Sequence, residues 1–214
     1  GVYNKGNTLT ISEPTVSGSV MQIDGNAFDA GLAPARKRLV LRAEQLGFDA
    51  LVEQVAYTWF NRLCAIRFME LKPDYLEHGF RVLSHPEKTN SFEILDHAQD
   101  VAEALGLERN HIVELKLAGN KDEALYRELL LGQCHQLHQA MPFLFEALDD
   151  ETELLLPDNL TRTDSILRGL VDGIPEEDWE QVEIIGWLYQ FYISEKKDQV
   201  IGKVVKSEDI PAAT

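Results

Sequence analysis

The stretch LVEQVAYTWFNRLCAIRFMEL, residues 51–71, decides the fold that this sequence predicts. At 100° per residue, its apolar side chains cover almost the whole circumference of a helix, and the polar ones are confined to a narrow wedge. A helix of this kind is normally buried by its neighbours. We therefore predict a central core helix with Trp59, Phe60, Leu63 and Ile66 in the core. The polar wedge consists of Gln54, Thr58, Asn61 and Arg62.

Arg67 is the exception in this pattern, because it projects inside the apolar arc of the predicted helix. An unpaired charge there would cost much free energy. We expect the Arg67 guanidinium to pair with a carboxylate from another helix. Together with Asn61 and Arg62, it would hold neighbouring helices in register.

The rest of the sequence predicts a mainly α protein, an irregular multi-helix bundle. Residues 1–31 show no helical period; an alternating run at 8–12 and the turn dipeptide Asp24-Gly25 indicate a short β-hairpin or an extended arm, with a flexible end as the alternative. Residues 32–214 would form one helical domain. Further helices are predicted at 35–45, 90–105, 120–140 and 163–171, and from Pro175 towards Val205, where Trp187 belongs to a second core helix.

Local signals mark where several of these helices begin. Asn90 with Glu93 and Asn120 with Glu123 have the spacing of capping boxes, and Thr163 or Asp164 could cap the helix that follows. Residues 112–117 fit either a helix or a strand. Residues 73–90 form a loop that Phe80, Val82 and Leu83 would attach to the core.

The charge of the chain is unevenly distributed. Its formal net charge is −16, and residues 82–184 hold seven basic against twenty-three acidic side chains. Such a balance argues against nonspecific nucleic-acid binding by the whole surface. The only basic patch is on the helix at 35–45, which carries Arg36, Lys37, Arg38 and Arg42. This patch is the candidate for contacts to a nucleic-acid backbone; a solvated helix face is the alternative, as it is for the acidic residues.

The sequence carries no recognisable active site. His135 and His138 have a spacing that could hold a metal, but the other histidines are scattered, so two polar positions on a structural helix are the simpler interpretation. None of the 14 glycines forms a Gly-x-Gly pair, and no two prolines are adjacent. The glycine-rich turn of a nucleotide-binding unit and the Asn-Pro-Pro-aromatic tetrapeptide of amino-methyltransferases are therefore missing. Cys64 and Cys134 fit buried free thiols, and no apolar run would span a membrane.

Several longer motifs nevertheless resemble one family in order and spacing. They are YTWFNRL (57–63), IRFME (66–70), ALYRELL (124–130), LLPDNL (155–160), IIGWLYQFYIS (184–194) and SEDIPAAT (207–214). Together they resemble the N-terminal region of the PglX family, the large adenine-specific DNA methyltransferases of BREX phage-defence systems. The resemblance is weak only in the first thirty or so residues.

The resemblance implies a bacterial cytoplasmic enzyme that transfers a methyl group from S-adenosylmethionine to adenine N6 of double-stranded DNA. In that family this region is helical and precedes the catalytic domain, so the chain would end just before the cofactor-binding fold. It would bind no cofactor and no metal itself, and no catalytic residue can be assigned in it. Its partners would be the parent's own methyltransferase domain, double-stranded DNA and other BREX proteins.

Two functions remain open at this stage. The first is a non-catalytic helical domain that helps the methyltransferase engage DNA or partner proteins. The second is an interaction module whose acidic block, residues 82–184, docks other defence components. A third, an acidic DNA-mimic inhibitor, would need an exposed array of carboxylates, which the dispersed helical spacing does not particularly support.

Overall fold

The computed structural model describes residues 2–5, 8–142, 151–180, 183 and 186. These residues form a mainly α protein with short strands at its N-terminal side, so the predicted fold class is confirmed. The helices are α1 (Ala33–Leu46), α2 (Phe48–Glu70), α3 (Glu93–Asp96), α4 (Ala98–Val101), α5 (Arg109–Leu117), α6 (Asp122–Ala140) and α7 (Ile166–Gly173). Three 3₁₀ helices accompany them: Ala30–Leu32, Glu151–Leu155 and Glu176–Glu180.

The N-terminal residues form two small antiparallel sheets rather than a single hairpin. The strands are β1 (Val2–Lys5), β2 (Thr8–Ile11), β3 (Thr15–Ser17), β4 (Val20–Ile23) and β5 (Asn26–Asp29). β1 pairs with β2, and β3, β4 and β5 form a meander. The predicted turn Asp24-Gly25 joins β4 to β5, with φ of 51° and 81°. Two consecutive positive φ angles match the twist of a tight hairpin.

Helix α2 is the centre of the hydrophobic core. Gly47, at φ 81°, separates it from α1, and it ends at Glu70 ahead of Lys72-Pro73, as predicted. The core also contains buried residues of α1, of the loop after α2 and of α3 to α7. The α2 residues in this core are Leu51, Val55, Trp59, Leu63, Ala65 and Ile66.

Two side chains of α2 lie differently from what their polarity would suggest. Arg62, assigned to the polar wedge, is 1% exposed, whereas Val52, an apolar residue of the same helix, is exposed. Phe60 is half-buried. The Arg62 guanidinium carbon lies 5.1 Å from the centroid of the Trp59 ring, an arrangement in which an aromatic face stabilises a buried cation. Which side of α2 is buried therefore depends on the elements that pack against it, and the buried side includes Arg62.

The loop after α2 is attached to the core, as the sequence predicts. Val82 and Leu83 are completely buried, and the Phe80 ring stacks on His97 with centroids 3.9 Å apart. The Tyr126 hydroxyl of α6 donates to the carbonyl of Val82 at 3.1 Å. This loop is thereby a fixed part of the structure.

The helix predicted from residue 90 to residue 105 is interrupted at His97, which separates α3 from α4. The predicted capping box of Asn90 and Glu93 is wrong. The Glu93 carboxylate instead accepts the backbone N–H of Arg81 at 2.7 Å. It satisfies a donor in the preceding loop, which a local sequence pattern cannot reveal.

The predicted capping box of Asn120 and Glu123 is wrong for the same reason. Glu123 accepts the backbone N–H groups of Leu160 and Thr161 at 2.6 and 2.9 Å, so that it joins α6 to a segment almost forty residues away. The predicted helix cap at Thr163 or Asp164 is wrong by one or two positions: Ser165 caps α7. Residues 109–117 are helical, which decides between the two alternatives for 112–117. Of the helix predicted from Pro175 towards Val205, the structure describes the beginning, where Glu176–Glu180 is a 3₁₀ helix and not an α-helix. Trp187 lies outside the described residues.

We predict that Glu70→Gln destabilises the chain by about 3–5 kcal/mol, because the change leaves buried donors, including the Arg67 guanidinium, without their carboxylate. Urea unfolding followed by circular dichroism measures the change. Glu103→Gln, an isosteric change at an exposed position, is the control and should stay within about 0.5 kcal/mol of the unchanged chain. Equal midpoints for the two variants would contradict the role of Glu70.

Candidate functional site

The four basic residues predicted to contact nucleic acid all lie on α1, but they do not point the same way. Arg38 and Arg42 are four positions apart and share a face of the helix, while Arg36 lies on a different side. The Arg36 guanidinium donates to the backbone carbonyl of Ser12, next to β2. Lys37 and Arg38 are exposed, and Arg36 and Arg42 are half-buried. The basic surface available to a partner is therefore centred on Lys37, Arg38 and Arg42.

Glu151 contacts this surface from a distant part of the chain. Its Oε1 atom lies 2.9 Å from Nη1 of Arg42, and its Oε2 atom lies 3.4 Å from Nε of Arg38. The Glu151 side chain is 16% exposed, compared with 45% for Arg38 and 22% for Arg42. Each of the two carboxylate oxygens of Glu151 therefore contacts a different arginine.

The backbone that carries Glu151 is anchored independently of these ion pairs. The Trp59 indole donates to the carbonyl of Thr152 at 3.1 Å, and Thr152 is completely buried. Arg127 of α6 donates to the carbonyl of Glu153 at 3.0 Å, and His135 lies 2.6 Å from the Glu153 carboxylate. The 3₁₀ helix Glu151–Leu155 is therefore held against α1, α2 and α6 together.

A second ionic network lies at the end of α2. Arg67, 1% exposed, contacts Glu70 at 2.6 Å and Glu176 at 3.2 Å. The predicted partner from another helix is thus present as Glu176 of the 3₁₀ helix Glu176–Glu180, but the closer partner is Glu70 of α2 itself. Arg81 also binds Glu176, at 2.7 Å. Burial opposes the ionisation of Glu176, but the hydrogen bonds and charges of Arg81 and Arg67 hold its pKa below the usual value.

Glu70 is satisfied by donors alone. Besides Arg67, it accepts the backbone N–H groups of Val82 and Leu83 at 2.7 and 2.6 Å and the Ser84 hydroxyl at 3.0 Å. Burial raises the pKa of Glu70, and the Arg67 charge and the donors oppose that rise. Because every polar partner donates, the carboxylate is the form that this network accommodates.

A pocket of about 320 Å³ opens beside this network, between the end of α2 and the following loop. Four of its charged lining residues, Glu70, Lys72, Arg81 and Glu93, are engaged within the protein. Lys72 donates to the carbonyl of Glu180 at 2.9 Å, Arg81 binds Glu176, and Glu93 accepts the Arg81 N–H. These contacts support the loop, and they give the pocket no pair of nucleophile and base.

The groups examined for metal or thiol chemistry have structural contacts. Within the described ranges, no set of three or more His, Cys, Asp and Glu side chains could hold a metal ion. His135, one of the two spaced histidines, pairs with Glu153. Cys64 and Cys134 are free and buried, and burial raises the pKa of each thiol to about 12. Among the described helices, none is long and apolar enough to cross a bilayer.

Two further histidines have pKa values shifted in opposite directions. Burial lowers the pKa of His78, whose Nε2 atom lies 2.7 Å from the side-chain oxygen of Gln133. The hydrogen bond to Glu128, at 2.9 Å, and the charge of that carboxylate raise the pKa of His111.

Comparison with known proteins identifies the relatives of this chain. No protein-family profile matches it. It is 70% identical over 211 residues, 98% of its length, to the adenine-specific methyltransferase BrxX of Escherichia coli O9:H4 (strain HS). It is 41% identical over 177 residues to the adenine-specific methyltransferase PglX of Lacticaseibacillus casei (strain Zhang). The chain is homologous to one segment of these methyltransferases. It spans 17% of the length of the first relative and 14% of the second.

The motifs that resemble the methyltransferase family and lie in the described residues contribute to one hydrophobic core, and two of them contact each other directly. YTWFNRL and IRFME lie on α2, where Trp59, Leu63, Ile66 and Arg67 are buried. ALYRELL lies on α6, and its Arg127 donates to the carbonyls of Leu156 and Pro157 in LLPDNL at 3.0 and 3.1 Å. The motifs at 184–194 and 207–214 lie almost wholly outside the described residues.

Glu70, Glu151 and Glu176 were not predicted from the sequence as the partners of these arginines. Glu70 had a usable signal, because it follows Arg67 by three residues, a spacing that places both on one face of a helix. Glu151 and Glu176 have no local signal. Each is one acid among the twenty-three of residues 82–184, and its arginine partners are 95 to 113 residues away in the sequence.

We predict that His78 and His111 titrate on opposite sides of pH 6.5 in an NMR titration, His78 below and His111 above. His78 then contributes stability above about pH 6.5 that is lost as the pH falls, since protonation favours the unfolded chain. His111 contributes stability below about pH 6.5 that is lost as the pH rises through its raised pKa. His78→Gln and His111→Gln should change the pH dependence of unfolding in opposite senses. Two unshifted titrations would contradict the assignment.

Proposed function

We propose that this chain is the N-terminal helical region of an adenine-N6 DNA methyltransferase of a BREX phage-defence system. It supports the engagement of DNA or partner proteins and is itself non-catalytic. The observation that carries the proposal is the 70% identity, over 98% of the chain, to a protein named as an adenine-specific methyltransferase. The whole enzyme uses S-adenosylmethionine and acts on double-stranded DNA in the bacterial cytoplasm.

The role of this region in that enzyme follows from how its residues are used. Methylation of adenine N6 within a duplex requires the base to be flipped into a pocket beside the cofactor. The sequence has neither the Gly-x-Gly turn nor the Asn-Pro-Pro tetrapeptide for that chemistry. Its partly or fully buried acids Glu70, Glu93 and Glu123 accept backbone N–H groups and so hold loops in place. These carboxylates support the scaffold, and the chemistry belongs to the rest of the methyltransferase.

The contact with DNA is assigned to the basic surface of α1. Lys37 and Arg38 are exposed, and Arg42 lies beside Arg38 on the same face. The net charge of −16 disfavours DNA on most of the remaining surface. A small basic surface of this kind positions a protein on the phosphate backbone without reading the sequence.

We predict that Lys37→Glu with Arg38→Glu, made in the full-length methyltransferase, weakens DNA binding to the same extent on specific and unrelated duplexes. Each lost phosphate contact should also reduce the slope of log K against log salt by about 0.9, so that a change of about 1–2 is expected. Fluorescence anisotropy at several salt concentrations measures both quantities.

The matched control for that experiment is Arg109→Glu with Lys121→Glu. It changes the net charge by the same amount at two exposed positions near the beginnings of α5 and α6. Its binding should stay close to that of the unchanged enzyme. If both double variants weaken DNA binding equally, the total charge of the protein and not the α1 surface accounts for the loss. If neither variant weakens binding, α1 does not contact DNA.

The alternative function, an acidic module that docks other BREX proteins, rests on the exposed acids of residues 82–184. Asp100, Glu103, Glu108 and Glu114 are all exposed along α4, α5 and the segment between them. Neutralising these four as amides in the full-length enzyme should abolish co-purification with a basic BREX partner if this function holds. Unchanged co-purification, together with DNA binding that depends on α1, would exclude it.

A further inference from the structure

We propose that Glu151 is an intramolecular competitor for DNA phosphate, which covers Arg38 and Arg42 until a phosphate replaces it. This inference rests on the proposed contact between α1 and DNA and adds a means of regulation to that surface. In the free protein the Glu151 carboxylate binds the guanidinium groups of Arg38 and Arg42. On the duplex, a backbone phosphate takes its place, and the Glu151 side chain turns to solvent.

The first support is the match between the two anions. Both carboxylate oxygens of Glu151 are used, one on Arg42 at 2.9 Å and one on Arg38 at 3.4 Å. Guanidinium groups bind carboxylate and phosphate oxygens with the same donor geometry. A surface that holds a carboxylate in this way is therefore arranged for a phosphate as well.

The second support is that the competitor can leave without unfolding its surroundings. The next two residues are fixed by contacts that do not involve α1: Trp59 binds the carbonyl of Thr152, and Arg127 binds the carbonyl of Glu153. Only rotation of the Glu151 side chain is required. The backbone of the 3₁₀ helix Glu151–Leu155 keeps its place, so that Glu151 remains ready to return.

The third support is the balance of the two interactions. Both arginines are partly exposed, and ion pairs in such positions are screened by solvent and contribute little. A phosphate on DNA gains in addition from the release of condensed counterions. DNA can therefore displace the carboxylate at moderate salt, while an isolated anion at low concentration cannot. This competition makes α1 selective for a polyanion.

The test is Glu151→Gln in the full-length methyltransferase, with the affinity for duplex DNA measured by anisotropy between low and physiological salt. Removal of the competing charge should tighten binding about threefold to tenfold. The slope of log K against log salt should stay nearly the same, because the same backbone phosphate is bound with and without Glu151. Glu153→Gln is the matched control: it lies in the same 3₁₀ helix but pairs with His135 of α6, and should leave binding unchanged.

A second variant separates competition from a folding defect. Arg38→Ala with Arg42→Ala loses the same ion pairs as Glu151→Gln and shares any consequence of losing them for the fold. It should nevertheless weaken binding, and adding Glu151→Gln to it should restore nothing. Opposite effects on affinity from the two sides of one ion pair are what competition requires; effects of the same sign would overturn the proposal.

The outcomes also distinguish this inference from the proposed function. If Lys37→Glu with Arg38→Glu weakens binding but Glu151→Gln has no effect, α1 contacts DNA and Glu151 is no competitor. If neither changes binding, the contact between α1 and DNA fails, and the competitor fails with it. A gain with Glu151→Gln that Glu153→Gln reproduces would also overturn the role of Glu151.

Discussion

The buried pair of Arg67 and Glu70 is the constraint on which the rest of this structure depends. Two opposite charges have been removed from water, and they are tolerable only because Glu70 also binds Val82, Leu83 and Ser84. The end of α2 and the following loop are fixed to each other by this requirement. The loop contributes core residues, and through Arg81 it also helps to bind Glu176.

The same principle operates between α1 and the 3₁₀ helix Glu151–Leu155 in a more exposed form. Glu151 pairs with Arg38 and Arg42 where water reaches the charges, so the interaction is weak and exchangeable. A buried ion pair suits a permanent connection, because breaking it costs several kcal/mol. An exposed pair suits a contact that can be replaced by a ligand. Burial thus separates the acids that hold the fold together, such as Glu70, from acids such as Glu151 whose partners a ligand can take over.

Features that depend on residues close together in the chain were predictable from the sequence, and features that depend on distant residues were not. The core helix, its end before Lys72-Pro73, the Asp24-Gly25 turn and the loop attached through Val82 and Leu83 were predictable, because each depends on periodicity or on the conformation of one or two residues. The capping boxes were wrong, because Glu93 and Glu123 bind donors elsewhere in the chain. The basic residues were foreseen on one helix, but the contact of Arg36 with the Ser12 carbonyl and the pairing of Glu151 with Arg38 and Arg42 were not.

The sequence by itself determined that this protein is mainly α, that α2 is its central helix and that its motifs resemble adenine-specific methyltransferases. Hydrophobic periodicity and family motifs depend only on the order of residues along the chain, so they can be recognised without knowing the tertiary contacts. Only the tertiary structure decided that Arg62 is buried, that Glu70 pairs with Arg67, and that Glu151 pairs with Arg38 and Arg42. The physical reason is that charge pairing depends on distance in space. The sequence does not show which of the many acidic side chains lies next to a given arginine, because the fold sets that distance.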